Sequence, residues 1–281
     1  MLVTDVRARI ERVLTALAWV VGTLVLMTAG LWLAQRQMVY LPDREVPTVP
    51  GDVRVRTAET ADGLVHQVWL VPAAGEPVAR VLVFNGNAGN KAHRLPLART
   101  LAVEGMEVVL FDYRGYGGTA GSPTEEGLVT DAEALAEFVF DSPLPVVFFG
   151  ESLGGGVATG LATRLPPDAL VLRSPFTSLG DMARAHYPLV PSFLLKDRYP
   201  VEDQIAAIEI PILVVLGSAD SIVPPPLSRR VFEAAPGPKE LVEMEGMDHN
   251  DPGLSSGVEL AATVRGFLER SGLVSPLPHP S

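Results

Sequence analysis

Ser152 stands in Gly150-Glu151-Ser152-Leu153-Gly154, a G-x-S-x-G pattern. Alone the pattern is weak. It carries nucleophilic chemistry only where a strand turns sharply into a helix and holds the hydroxyl out at the strand's carboxyl end. The flanks supply that setting: PVVFF (145–149) reads as a strand and GGGVATGLATRL (154–165) as a helix. Ser152 must then adopt a strained backbone, and glycines two before and two after leave room for it. The helix N-terminus adds partial positive charge where an oxyanion would form. A buried Ser in a Gly-rich tight turn is the non-catalytic alternative.

A serine hydroxyl needs a base. With this motif the partners follow in the order Ser, Asp or Glu, His. The chain has five histidines, His66, His93, His186, His249 and His279. Only His249 and His279 follow the candidate acids near the end, and His279 lies in a Pro-rich tail. His249, in the polar loop EGMDHND (245–251), is therefore the expected base. The acid is expected after the strand at 210–216, where GSAD (217–220) presents Asp220. Asp220 would accept the Nδ1 proton of His249, fix its tautomer and stabilise the imidazolium. A turn-forming role is the alternative for Asp220, with Asp203 and Asp248 as fallback acids; Asp248, next to the base, is expected to point away. Two backbone amides must meet the oxyanion: that of Leu153, and one from the loop NGNAGN (85–90), where Asn87 is the expected donor. A Gly/Asn loop can also cradle phosphate, but this one lacks G-x-G-x-x-G and the Walker Lys-Ser/Thr.

These residues need a scaffold of alternating elements. Strand-like runs occur at 53–57, 64–71, 80–84, 107–111, 145–149, 169–172, 210–216 and 240–244. Several are apolar throughout (VLVF, VVLF, VVFF, ILVVL), which suits a mostly parallel sheet covered on both faces. Helices are expected from 122 to 140, with Ser122 as N-cap, Pro123 at N1 and Glu125 at N3, and also at 152–165, 225–235 and 254–270. The pattern predicts one three-layer α/β domain over residues 53–270 with an eight-stranded, mostly parallel sheet.

Composition narrows the classes. The 281 residues carry 22 Lys+Arg and 33 Asp+Glu, a formal charge of −11, which disfavours nucleic acid as a partner. There are no cysteines, which excludes disulfides, thiolate metal sites and Cys nucleophiles. Mean hydropathy of +0.26 is high for a soluble domain. The cause is residues 13–34, an uncharged run that as a helix covers roughly 33 Å, enough to cross a bilayer. A signal peptide has a shorter apolar region and a small-residue cleavage site, and a core helix seldom has so long an apolar run. Residues 1–35 are thus read as a cytoplasmic stub and transmembrane helix, 36–52 as an extended linker and 271–281 as a disordered tail. Arg7, Arg9 and Arg12 precede the span and Arg36 and Arg44 follow it, which favours a cytoplasmic N-terminus and a catalytic domain on the other side.

Together the motifs NGNAGN (85–90), FDYRGYGGTAGSPTEEG (111–127), GESLGGGVA (150–158), RSPFTSL (173–179), GSADSIVP (217–224) and HND (249–251) resemble the α/β-hydrolase superfamily. More narrowly they resemble its membrane-anchored, small-cap branch of bud-emergence-type and depalmitoylase-type hydrolases. The resemblance implies the α/β-hydrolase fold, a Ser152–Asp220–His249 triad and cleavage of ester or thioester bonds without metal or organic cofactor. The family loop usually begins His-Gly; here Asn85-Gly86 stands in its place, and Asn85 can still hydrogen-bond to hold the loop. Asp112 and Arg114 are expected to order loops near the site.

The insert at 174–209 is expected to form a small cap, with Tyr187, Leu189, Phe193 and Leu194 favouring an acyl chain or else packing on the domain. An ester substrate, small or lipid-linked, is the expected partner. A peptidase on the same fold and a non-catalytic anchored scaffold are the competing classes.

Overall fold

The computed structural model of the protein describes residues 2–188 and 191–276. Leu189 of the expected cap and residues 277–281 of the expected tail lie outside the described residues. A single helix, α1 (Leu2–Val39), opens the chain. Its segment Glu11–Val39 has a mean hydropathy of 2.0 in its most apolar window, and none of that window is buried against the protein. Helical stability in a globular protein comes from packing an apolar face; among residues 11–39 of α1 only positions 34–36 and 39 are partly covered by the domain. The helix is long and apolar enough to cross a membrane.

The chain then forms β1 (Leu41–Pro42), β2 (Arg54–Glu59), β3 (Val65–Val71), β4 (Ala79–Phe84) and β5 (Ala88–Gly89). A short 3-10 turn (Lys91–Arg94), α2 (Leu95–Val103), β6 (Met106–Leu110), α3 (Glu125–Phe140), β7 (Val146–Glu151) and α4 (Leu153–Ala162) follow. After β8 (Ala169–Arg173) come α5 (Leu179–His186), a 3-10 turn (Ser192–Leu194) and α6 (Val201–Ile205). The domain closes with β9 (Ile212–Gly217), α7 (Pro225–Ala234), β10 (Lys239–Met244), α8 (Pro252–Ser256) and α9 (Val258–Arg270).

The main sheet has eight strands in the order β10-β9-β8-β7-β4-β6-β3-β2. Pairing is parallel except where β3 runs antiparallel to β2 and to β6. Alternate side chains of one strand feed two cores. On β4, Leu82 and Phe84 join α3, α4, α6 and α7, while Val81 and Val83 join α2, α8 and α9. Each buried Leu, Val or Phe contributes about 1.5–3 kcal/mol by leaving water, which is why strands apolar on both faces settle at the centre of three layers.

Four local expectations differ from the structure. Helix α3 starts at Glu125 rather than at Ser122, because the Thr124 hydroxyl accepts the Gly127 amide at 2.9 Å and caps the helix. The last helix is two, α8 and α9, broken at Gly257, whose backbone is extended. The start of the tail is packed: Val274 is buried and the Ser275 carbonyl accepts from Arg265 at 2.6 Å. Of the expected extended linker 36–52, residues 36–39 instead continue α1, and the segment is docked on the domain. Arg36 pairs with Asp197 through two bonds of 2.9 and 3.1 Å, the buried Tyr40 hydroxyl meets that of Tyr199 at 2.9 Å, and β1 pairs in parallel with β5.

Candidate active site

The turn between β7 and α4 carries Ser152 at φ 52°, ψ −115°. A non-glycine residue there is strained, and such strain persists only where its surroundings hold it. Two contacts do so: the Ser152 amide donates to the Arg173 carbonyl and the Gly155 amide to the Ser152 carbonyl, both at 2.9 Å. The flanking glycines permit the close approach. A Cβ on Gly154 would lie 2.1 Å from the Phe84 carbonyl oxygen, and one on Gly150 would lie 2.6 Å from the Gly155 Cα.

Ser152 and His249 line one cavity of about 640 Å³, together with Asn87, Arg94, Leu41 and Ile222. The Ser152 Oγ makes no hydrogen bond among the described residues; hydroxyl–imidazole contacts of this kind often close only on substrate binding. Behind the imidazole, His249 Nδ1 lies 2.7 Å from Asp220 Oδ2. Burial favours the neutral acid at Asp220, but the hydrogen bond and charge of His249 outweigh it and hold the carboxyl below its ordinary value. An ionised carboxylate can only accept, so Nδ1 carries the proton and Nε2 is left as the acceptor. The other Asp220 oxygen accepts the amides of Ile222 at 3.0 Å and Val223 at 2.8 Å, which fixes the carboxylate on its loop. Asp248 instead accepts the amides of Ser221 and His249, each at 2.7 Å, and so ties the loop that carries Asp220 to the loop that carries His249. Asp203 lies in α6 and does not line the cavity.

The Leu153 amide is at the first position of α4, where no intrahelical acceptor exists. Neither it nor the Asn87 amide donates to another group among the described residues, and Asn87 lines the same cavity as Ser152. The loop bearing Asn87 is fixed from several sides. The Asn85 Nδ2 donates to the Phe111 carbonyl at 2.7 Å, while Tyr113 and Tyr116 donate to the Asn85 and Asn87 carbonyls at 3.1 and 2.8 Å. The Leu41 amide donates to the Asn87 carbonyl at 2.8 Å and the Asn90 side chain to Asp43 at 3.0 Å. Gly86 passes so close that a Cβ there would meet the Glu151 carboxylate at 2.9 Å. Asp112 accepts both the amide and the ammonium of buried Lys91, at 2.6 and 2.7 Å, and so pins the 3-10 turn behind the loop. Arg114 bonds Asp131 and Asp62 farther from the cavity.

An ion cluster in the wall of the cavity was not visible in the sequence. Glu151 Oε1 lies 2.9 Å from Arg94 Nη2 and 2.8 Å from Arg173 Nη2, and Arg173 Nη1 donates to the His249 carbonyl at 2.8 Å. Burial favours neutral Glu151, yet the charges of Arg173 and Arg94 hold its carboxyl below the ordinary value. Arg173 thus links the residue preceding Ser152 to the loop that carries His249. The only sequence signal was its place at the head of RSPFTSL (173–179).

The expected cap residues lie elsewhere. Tyr187 and Phe193 are 57% and 77% exposed, Leu194 lies against α1, and none of the three lines the Ser152 cavity. The 3-10 turn Ser192–Leu194 packs toward α1, whereas His186 Nε2 at the end of α5 lies 2.8 Å from the carbonyl of Ile222, which lines the cavity.

With this geometry in place, the chain can be set beside known proteins. It is 42% identical over 269 residues to protein Rv2307c of Mycobacterium tuberculosis, an alignment covering 91% of this chain and 96% of that one. It is 33% identical over 231 residues to protein bem46 of Schizosaccharomyces pombe, covering 77% of each. The chain belongs to the α/β-hydrolase superfamily. Within it, the hydrolase family model described as serine aminopeptidase, S33, matches residues 75–199. Lysophosphatidylserine lipase ABHD12 of Danio rerio is 36% identical over 184 residues, 57% of this chain and 48% of that one. Among solved structures, the Pyrococcus furiosus esterase Pf2001 superposes with a TM-score of 0.66 at 19% identity, over 82% of this hydrolase and 98% of the esterase.

Proposed function

We propose that this hydrolase is a membrane-anchored serine esterase or thioesterase that acts on acyl or lipid-type substrates through an acyl-enzyme on Ser152. The observation that carries the reading is the Asp220–His249 bond at 2.7 Å behind a cavity that Ser152 shares with the imidazole. In the first step His249 Nε2 takes the Ser152 proton as Oγ attacks the carbonyl carbon. The tetrahedral oxyanion is met by the amides of Leu153 and Asn87. Collapse breaks the bond to the leaving alcohol or thiol, which takes the proton from the imidazolium. Water then repeats the sequence, with His249 as base, and releases the carboxylic acid.

The anchor supports the choice of a lipid-type substrate. From Ala34 to Val39 the helix rises about 7.5 Å, and two extended residues reach Leu41 at the cavity wall, so the cavity lies within on the order of 15 Å of the end of the apolar run. The likeness to lysophosphatidylserine lipase ABHD12 supports the same choice. The excess of Arg before the span supports a catalytic domain on the non-cytoplasmic side, which protease accessibility in sealed right-side-out vesicles tests; protection of the domain would reverse it.

The family description as serine aminopeptidase favours a second reading, cleavage of an aminoacyl amide. The discriminating experiment sets p-nitrophenyl esters of increasing chain length against aminoacyl p-nitroanilides, with Ser152→Ala as control. Turnover rising with acyl length supports the lipid-type esterase. Preference for the anilides supports the peptidase, and strict preference for acetate removes the acyl-chain assignment.

A further inference from the structure

Two of the side chains expected in a substrate cap, Phe193 and Leu194, lie outside the Ser152 cavity. Phe193, in the 3-10 turn Ser192–Leu194, is 77% exposed and covers no part of the domain core. Its neighbour Leu194 lies in an open apolar groove beside Leu24, Thr28 and Trp32 of α1. The turn's height along α1 is fixed by hydrogen bonds: Gln35 Nε2 donates to the Leu194 carbonyl at 3.2 Å and the Lys196 amide donates to Gln35 Oε1 at 2.7 Å. Lys196 Nζ sits 4.0 Å from the centre of the Trp32 ring.

These contacts set a level. Gln35 is one residue past the apolar run that ends at Ala34, and Thr28 lies about 9 Å back inside it along the helix. A bilayer that encloses residues 13–34 therefore also meets Leu194 and Phe193. A Trp ring with a lysine on its face is the pairing expected at the headgroup level, with the lysine's alkyl stem in apolar surroundings and its ammonium in water.

We propose that the Ser192–Leu194 turn is a second membrane contact, with Phe193 inserted into the acyl–headgroup boundary of the same leaflet that α1 leaves. The partner is the lipid surface itself. The inference rests on the anchored reading of α1 and deepens it: two contacts, a span and a wedge, fix how the domain sits on the bilayer and at what height its cavity opens. Interfacial insertion of an apolar side chain buries area without crossing the membrane.

The absence of cysteine gives a direct test. Single variants Phe193→Cys, Val25→Cys in the span and Val103→Cys, where Val103 is 71% exposed at the end of α2 and lies at the sheet edge opposite Ser152, are labelled with a polarity-sensitive nitrobenzoxadiazole and reconstituted in phosphatidylcholine/phosphatidylglycerol vesicles with and without doxyl-lipid quencher. The proposal predicts blue-shifted, quencher-sensitive emission at positions 193 and 25 and water-like, unquenched emission at 103. Quenching at 25 with water-like emission at 193 overturns the wedge while leaving the anchor. Water-like emission at 25 as well overturns the anchor, and with it the wedge.

Discussion

The side-chain amide of Asn87 donates to the carbonyl of Val39 at 2.9 Å, so the loop facing Ser152 is tied to the last residue of the apolar helix. The next residues continue the tie, because the Leu41 and Asp43 amides donate to the Asn87 and Gly89 carbonyls at 2.8 and 3.1 Å. The segment after the helix is therefore part of the wall of the site.

Asn87→Ala keeps the main-chain N–H that is proposed to meet the oxyanion and removes only the tie to Val39. A misplaced donor costs rate in the transition state more than binding in the ground state, and losing one donor outright costs about 10²–10³ in kcat. Asn87→Ala is expected to lower kcat by about 10-fold or more with KM little changed. Steady-state kinetics on a soluble p-nitrophenyl ester measure this, and an unchanged kcat would mean that the tie does not position the loop.

Arg173 holds Glu151 and the His249 carbonyl at once, and it is 1% exposed. Removing one member of a buried ion cluster leaves an under-compensated charge, a loss of about 3–5 kcal/mol; the remaining Arg94 places Arg173→Met at the lower end of that range. Thermal unfolding in detergent should show a clear drop in Tm, accompanied by lower kcat because the base loop loses its support. A variant with wild-type Tm would show that the cluster contributes no net stability.

Gly154→Ala introduces a Cβ 2.1 Å from one backbone carbonyl oxygen and 2.5 Å from the next, those of Phe84 and Asn85. Backbone cannot rotate away as a side chain can, so α4 must shift and carry Ser152 with it. Overpacking of this kind costs about 1–3 kcal/mol and in this place more. Both Tm and labelling of Ser152 by a fluorophosphonate should fall. Unchanged labelling would show that the turn tolerates the shift.

Asp220 has a depressed value in the folded protein, because the His249 hydrogen bond and charge outweigh burial. A lowered folded value stabilises the fold above the unfolded carboxyl value, about 3.9, and that contribution is lost as pH falls through the folded value. The Tm difference between wild type and Asp220→Asn, measured at about pH 5, should shrink as pH falls below about 4. A difference that stays unchanged as pH falls from about 5 to about 3 would assign the effect to another group.

The central strands β4, β6, β7, β8 and β9 were legible because each is a short, largely apolar run buried on both faces, whereas β2 and β10 at the sheet edges are polar and partly exposed and show a weaker pattern. Helix α2 was not, because Pro96 reads as a breaker; in the structure it occupies the first turn, where its missing N–H costs nothing. Asp220 and His249 could be found from chain order and the ends of strands. The Arg94–Glu151–Arg173 cluster could not, since only the pairing of β7 with β8, which sets Glu151 beside Arg173, makes those positions neighbours. Phe193 shows a different limit: an apolar side chain in a cap-like insert looks the same in sequence whether it faces substrate or faces away from the cavity.

The central claim is that Ser152 is a nucleophile activated through His249, and covalent capture tests it most directly. The intact mass of the full-length protein is measured after incubation with a fluorophosphonate, for wild type, Ser152→Ala and His249→Ala. A single adduct is expected on wild type, none on Ser152→Ala, and labelling slowed by a factor on the order of 10³ or more on His249→Ala. A folded wild type that takes no adduct, or a Ser152→Ala variant that labels at the wild-type rate, would contradict it.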